Sequence, residues 1–458
     1  MALFDLLSVN AQSLTTFQKG IDLTNKNINN VYNKDYAREQ AIFEELPGYG
    51  VNMADAHRVF DRRYFDRYIK ENQTLAFHEN LSSNLDGLEA IFNDINGTGF
   101  ADDINEYFSK INQLVNEPNN MAAREDFLVT ARKLVAKLKG TYDSLENEKT
   151  NLNIAIEKEV DEINRLTASL AKVNAAIKAQ PNDLTINQEK RNTYLNERDK
   201  LLKELSSKLD IQVRYNKDDS VDVFSAKGHA IVLGDRNFLL AATQSTKTLD
   251  GGLQTQTLDI SIDGKTLTNE FKKGKLGAVL EYQRELENTM TKLNKFAIAF
   301  KDENNAIHQS GFGLDNSTGL NLFDGDNIKD ITVNQELIDD PAKIATSSEQ
   351  DSPSNNEVIK KLYNLKDSQI GALDNKTFYD YYIDIVGDIA NAKDYHDKMT
   401  QDSQMLVDAI DSKMQEISGV NMDEELMNLM QLQHAYQAAA KVINVTDELL
   451  QTVMGLVR

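Results

Sequence analysis

Leucine and isoleucine recur every seven residues near the start of the chain, at Leu7, Leu14, Ile21 and Ile28, with Phe4, Ala11, Phe17 and Val31 filling alternate turns. This coiled-coil-like stripe predicts a helix over about residues 3–31. Helical spacing continues over 57–92 and 101–116 and is longest over 121–208. There Ile156, Ile163, Leu170 and Ile177 form a second seven-residue ladder beside Leu152, Leu166 and Val173. Gln180-Pro181-Asn182 interrupts the run, and Leu184 to Leu209 resumes it. Helices with such ladders pack side by side in a bundle.

Near residue 210 the period shortens from about 3.6 to 2, the alternation of half-buried strands. Ile211–Arg214, Val221–Phe224, Ala230–Leu233, Phe238–Ala242 and Leu258–Ile262 read as short strands, with turns at Asn216–Asp219, Gly234-Asp235 and Asp263-Gly264. Helical spacing returns at Leu276–Phe300. Residues 304–355, rich in Asn, Asp, Gly and Ser, read as loop with one short strand at Ile331–Val333, and helix resumes from Asn356 to the end. The five prolines (Pro47, Pro118, Pro181, Pro341, Pro353) all fall at predicted element ends.

The last helix is the most unusual. Leu429, Tyr436, Ile443, Leu450 and Val457 make a seven-residue series flanked by Leu426, Leu432, Ala439, Ala440 and Val453. Between Leu426 and Thr446 the one charged side chain is Lys441; the remaining face carries Asn428, Gln431, Gln433, His434, Gln437 and Ala438. A helix with one solvent face would carry Lys and Glu there. Amides and alanines suit a helix covered on several sides, by other copies of itself. Pairing within one chain is the plainer alternative. The expected assembly interface therefore comprises Leu7, Leu14, Ile21 and Ile28 with Leu426, Leu429, Tyr436, Ile443 and Leu450.

The expected fold is mostly α (α+β): an elongated, hairpin-like chain with paired terminal helices, a helical bundle core and a small antiparallel β module. Residues 1–50 and 415–458 form the terminal assembly domain, 51–208 and 275–414 the bundle, and 209–274 the outer β domain.

Composition narrows the function. The chain has 458 residues, a formal charge of -22, and neither Cys nor Trp. Without a basic cluster, a phosphate backbone or an anionic membrane is a poor partner. Without thiols there is no disulfide framework, thiolate nucleophile or sulfur-ligated metal. Asp5 comes early and the first basic residue is Lys19, unlike a cleavable secretory signal. Export that keeps the N-terminus is the expectation. No stretch has the roughly 20 apolar residues of a membrane span.

Four segments identify a family. Residues 417–443, from Ile417-Ser-Gly-Val-Asn-Met-Asp-Glu-Glu to Gln433-His-Ala-Tyr-Gln-Ala-Ala-Ala, resemble the C-terminal signature of flagellar hook-associated protein 1. Asn27-Ile28-Asn29-Asn30-Val31 with Tyr36-Ala37-Arg38 is similar to the matching N-terminal signature of rod, hook and filament proteins. Leu114–Asp126 and Leu195–Leu205 look like this family's helical core. Asn33-Lys34-Asp35 replaces the usual threonine-proline-glycine, and 304–355 leaves no room for a second large outer domain.

The resemblance implies a structural axial protein at the hook–filament junction, needed for flagellum assembly and motility. It implies export through the flagellar type III channel and assembly into a ring or tube of identical subunits. Partners would be the hook protein, a second junction protein on the filament side, and a cytosolic export chaperone on the C-terminal helix. A sibling junction protein or flagellin is the nearest alternative. A cytosolic coiled-coil scaffold is another, although it calls for charged flanks that 426–446 lack.

Candidate chemistry is thin. His57, His78, His229, His308, His396 and His434 show no two at ligand spacing. Asp94-Ile-Asn96-Gly97-Thr98-Gly99 opens like a calcium loop, but Asn105 stands where a bidentate Glu is required. Asp324-Gly325-Asp326 has the same deficiency. Gly311-Phe-Gly313 lacks the following Gly-Lys-Ser/Thr of a phosphate loop. Asp423-Glu424-Glu425 suits a helix N-terminus, where acids complement the dipole. No catalytic residue, cofactor or metal is expected.

Overall fold

The structure is a computed structural model that describes residues 2–46, 50–92, 99–180 and 185–456. In chain order, α1 (Ala2–Asn29) leads into a hairpin of β1 (Glu39–Leu46) and β2 (Gly50–Arg58). Helices α2 (Arg62–Ile91), α3 (Phe100–Asn116), α4 (Met121–Lys178) and α5 (Thr185–Lys208) follow. Strands β3 (Ile211–Tyr215), β4 (Val221–Ser225), β5 (Ala230–Leu233) and β6 (Arg236–Asn237) come next, then β7 (Leu240–Thr248), β8 (Gln254–Ile262) and β9 (Lys265–Thr266). Beyond α6 (Gly274–His308) lie β10 (Phe323–Asp324), β11 (Thr332–Val333), α7 (Gln335–Asp339) and α8 (Glu357–Asn364). The chain closes with α9 (Phe378–Ser418) and α10 (Met422–Leu456). The fold is mostly α with small sheets, as expected. Pro47, Pro181 and the interruption around it, Leu184, residues 94–98 and Val457 lie outside the described residues.

Two local readings change and a third gains detail. Residues 39–58 form an unanticipated hairpin, and α2 begins at Arg62, so His57 and Arg58 are strand. The hairpin was hidden because a register shift between Ile42 and Phe43 breaks the alternation that marks a strand. The strands between 211 and 266 form two sheets, β3-β4-β5-β6 and β7-β8-β9. Finally, Asn356 does not begin a continuous helix. Helix α8 stops at Asn364, and Asp374 and Asn375 take left-handed φ values of 58° and 59° before α9.

The chain gathers into two compact units, and α2, α4 and α9 contribute residues to both. The first comprises Met1–Ala76, Asp161–Leu240 and Gln401–Arg458. In it α1 runs antiparallel to α10, since Asn27 meets Glu425 while Gly20 meets Leu432. A side chain at Gly20 would sit 3.2 Å from Leu432 Cδ1 and 3.0 Å from Phe43 Cζ, so a glycine lets helix and hairpin close on each other here. The hairpin packs on α1 through Leu23, Met53 and Ala56. Asn174 on α4, fully buried, donates to the carbonyls of Val221 and Gly234 and accepts from Val221 N–H, tying the β3–β6 sheet to its helix.

The second unit comprises Phe77–Val160 and Ala241–Thr400. Its core is aromatic: Tyr107, Phe127, Phe296, Phe300, Phe323 and Phe378 meet in edge-on, tilted and stacked pairs. Arg124 is fully buried, yet its guanidinium donates to the carbonyls of Pro118 (2.6 Å) and Ile344 (2.7 Å) and to Thr346 Oγ1 (2.9 Å). Burial lowers its pKa to about 10. His308 is also buried, with Nδ1 against Leu320 O (2.7 Å) and Nε2 accepting from Ala345 N–H (3.0 Å). Those two contacts define a neutral tautomer, and burial pushes its pKa down to about 4. At Asp324-Gly325-Asp326, Asp330 Oδ1 accepts from the backbone N–H of Asp326 and Asn327 and holds an ordinary turn.

Candidate assembly interface

The signature residues near the two termini meet around Asn27. Its amide group donates to Glu39 O (2.8 Å) and Glu425 Oε2 (3.1 Å), and its Oδ1 accepts from Tyr36 Oη (2.7 Å) and Glu39 N–H (3.0 Å). Asn27 is 1% exposed and all its hydrogen-bonding groups are used. The Glu39 carboxylate is held by Lys26 Nζ (2.5 Å) and Asn192 Nδ2 (3.0 Å). Asn192 also donates to Ala56 O, which fastens α5 to the hairpin. Burial, then the Glu39 carboxylate, raises the Tyr36 pKa. Burial raises that of Glu425 too, against the lowering pull of the Asn27 hydrogen bond and the Arg38 charge.

A second layer joins the same segments. Arg38 N–H donates to Ser418 O (2.8 Å), and its guanidinium pairs with Glu424 (2.9 Å). Asn421 caps α10, its Oδ1 accepting from Asp423 N–H at 3.0 Å. The acidic run therefore does more than complement a dipole: Glu424 and Glu425 reach back to the N-terminal segment 386 and 398 residues away. The divergent Asn33-Lys34-Asp35 still makes a turn, since Tyr36 N–H donates to Asn33 O and Asp35 N–H to Asn33 Oδ1.

Most of the expected interface residues lie beside the covered seam between α1 and α10. On α10 the buried positions are Glu425, Ala439 and Thr446, in phase with half-buried Leu432; on α1 they are Ser13, Thr16, Gly20, Leu23, Thr24 and Asn27. Leu7, Leu14, Ile21 and Ile28 are half-buried, as are Leu429, Ile443 and Leu450; Leu426 and Tyr436 are exposed. Small and polar residues take the seam because the helices approach closely there, and the large aliphatic ones stand at its margins. Val442, Val445, Leu449 and Val453, spaced 3, 4 and 4 apart, form an exposed apolar ladder on α10. Asn428, Gln431, Gln433, His434, Gln437 and Ala438 are exposed as well.

Residues 85–323 match the family model described as the flagellar hook-associated protein FlgK helical domain, which spans half of the chain. The chain belongs to the FlgK family. Residues 411–456 also match the flagellar basal body rod FlgEFG protein C-terminal model, and so include Ser418, Asn421, Glu424 and Glu425 of the buried network. Two relatives are named flagellar hook-associated protein 1. That of Bacillus subtilis is 23% identical over 97% of this chain and 96% of its own. That of Escherichia coli is 23% identical over 98% and 99%. A solved structure of the flagellar hook junction protein FlgK from Burkholderia pseudomallei aligns at 20% identity with a TM-score of 0.48, covering 57% of this chain and 46% of that one. Arg124 lies in the FlgK helical domain, within the Leu114–Asp126 segment whose resemblance was legible beforehand.

One grouping that spacing missed lies in the second unit. His78 and His396 meet Nδ1 to Nδ1 at 2.8 Å beside Phe77 and Tyr395. Burial, then His396, lowers the His78 pKa to about 4. A separation of 318 residues leaves no local signal for such a pair. Among the described residues no three His, Asp or Glu side chains cluster so as to hold a metal ion, and no helix is long and apolar enough to cross a membrane.

Proposed function

We propose that the chain is a structural subunit of the bacterial flagellum, built into the junction between hook and filament, and that α1 with α10 is its assembly domain. The observation that carries the reading is the state of α10. One face is seated on α1, yet Val442, Val445, Leu449 and Val453 stay exposed on a helix whose outward residues from Leu426 to Thr446 include one charge, Lys441. An exposed apolar ladder of that length is what neighbouring subunits would cover. Partners on this reading are other copies in a ring or tube, the hook protein, a second junction protein on the filament side and, before export, a cytosolic chaperone on α10. The location is extracellular, reached by an export route that leaves the N-terminus in place. The role asks for no catalysis, cofactor, nucleic acid or membrane.

The test is to express the tagged chain in cells lacking their own copy, shear the flagella and label with immunogold. Gold at the boundary of hook and filament, with attached filaments restored, is the expected result. Gold confined to the cell body, or filaments still shed, would refute the proposal.

A further inference from the structure

In a chain of charge -22, one surface of the first unit is basic. A cleft of about 700 Å³ is lined by Arg58, Arg62, Arg191, Arg198 and Lys217, with Asp219 the one carboxylate among the described residues of its wall. Three of these arginines are held in place. Arg58 and Arg198 share Asp199, at 2.7 and 2.6 Å, and Arg191 bonds Asp219 at 2.7 Å. Arg62 lies over the Tyr215 ring at 3.6 Å and, half-exposed, forms an ion pair with Asp66 at 3.5 Å. Lys217 is exposed, and among the described residues no carboxylate forms an ion pair with it. Five cations thus face three carboxylates (Asp66, Asp199 and Asp219): Arg62 pairs with Asp66, Arg58 and Arg198 share Asp199, and Lys217 stands exposed at the rim.

The same hairpin that leads into this cleft at Arg58 carries the opposite charge further out. Glu44 and Glu45 on β1 are exposed, beside exposed Ile42 and Phe43, and no described side chain pairs with them. Glu39 pairs with Arg58 in the hairpin register, and Glu44 is five positions further on, about 17 Å at ~3.4 Å per residue. The paired strands hold that separation, so Glu44 cannot fold back into its own cleft. A copy with an acidic patch at one end of an element and a basic cleft at the other is complementary to itself head to tail, the contact type that closes rings.

We infer that Glu44 and Glu45 of one subunit dock into the Arg62–Lys217 cleft of the next. This deepens the proposed junction role and rests on it. The test is a charge swap in the full chain, in cells lacking their own copy. Glu44→Lys/Glu45→Lys and Arg62→Glu/Lys217→Glu should each lower attached filaments per cell at least tenfold. The four-residue swap should restore them to within about threefold of wild type, with all purified monomers melting alike. Reversed variants that assemble like wild type would overturn the docking, as would a swap that fails to rescue although its monomer is folded and exported. Loss from the cleft variant alone would assign the cleft to a different acidic partner and likewise overturn it. Failure of the unmodified chain to restore filaments would instead strike the junction role itself.

Discussion

Removing the Asn27 side chain should loosen the join between the two ends of the chain. Asn27→Ala deletes four hydrogen bonds of 2.7–3.1 Å and strands four groups: Tyr36 Oη, Glu39 N–H, Glu39 C=O and the Glu425 carboxylate. A neutral buried hydrogen bond contributes roughly 1 kcal/mol and one to a charged group roughly 1.5–3 kcal/mol, so the sum is roughly 4–6 kcal/mol. Water entering the vacated space would recover part of it, leaving a net cost of about 3–5 kcal/mol. Asn27→Asp keeps both acceptor roles but loses both donors and adds a carboxylate beside Glu39 and Glu425, so it should be worse at neutral pH and improve on acidification. The assay is amide exchange of the monomer across residues 422–435 and 39–46. Since about 1.4 kcal/mol is tenfold, Asn27→Ala should speed exchange there by at least about a hundredfold while α3 and α6 are unchanged. Protection of α10 within about fivefold of wild type would show that the buried network does not hold the termini together.

Four further outcomes are expected. Val445→Asp should abolish incorporation into flagella but move monomer stability by less than about 1 kcal/mol, whereas Ile163→Asp, fully buried, should cost the monomer several kcal/mol; equal melting temperatures would refute the contrast. Gly20→Val should destabilise by about 1–3 kcal/mol, because the branch lands on Leu432 and Phe43, and a double variant with Phe43→Ala should recover part of the loss in thermal melts. Arg124→Lys cannot reproduce the forked donation to Pro118, Ile344 and Thr346 and should cost about 2–4 kcal/mol by urea denaturation. His308 has a folded pKa of about 4, below the ordinary 6.5, so its contribution is complete above about pH 6.5 and fades as pH falls towards 4. That shift corresponds to about 3 kcal/mol, and NMR titration should show no His308 transition above pH 5.

Much of the architecture was legible because burial on a helix leaves a period in the sequence. Ile156, Ile163, Leu170 and Ile177 repeat every seven residues, and all four are fully buried along α4. Strands β3, β4 and β5 were legible as short apolar runs bounded by turn residues, and β3 also shows alternating cover. The hairpin β1–β2 escaped because a register shift breaks its alternation and because α1 and α5 pack against it. The division of the β module into two sheets follows from strand pairing, which alternation within single strands does not specify.

At the paired terminal helices the sequence determined less. It gave the motifs, the uncharged character of α10 and a seven-residue period at each end. Phase was a different matter, because several stripes share one period and only packing selects among them. Leu429, Ile443 and Leu450 follow the period, yet Ala439 and Thr446 occupy the seam, since close approach at Gly20 favours small side chains. Spacing had no means of linking Asn27 to Glu425, His78 to His396, or Arg58 to Asp199, each pair being more than a hundred residues apart. Local periodicity reports which face of an element is covered. What covers it, and which buried polar groups answer one another across the fold, is decided when the chain closes on itself and each desolvated donor must find an acceptor.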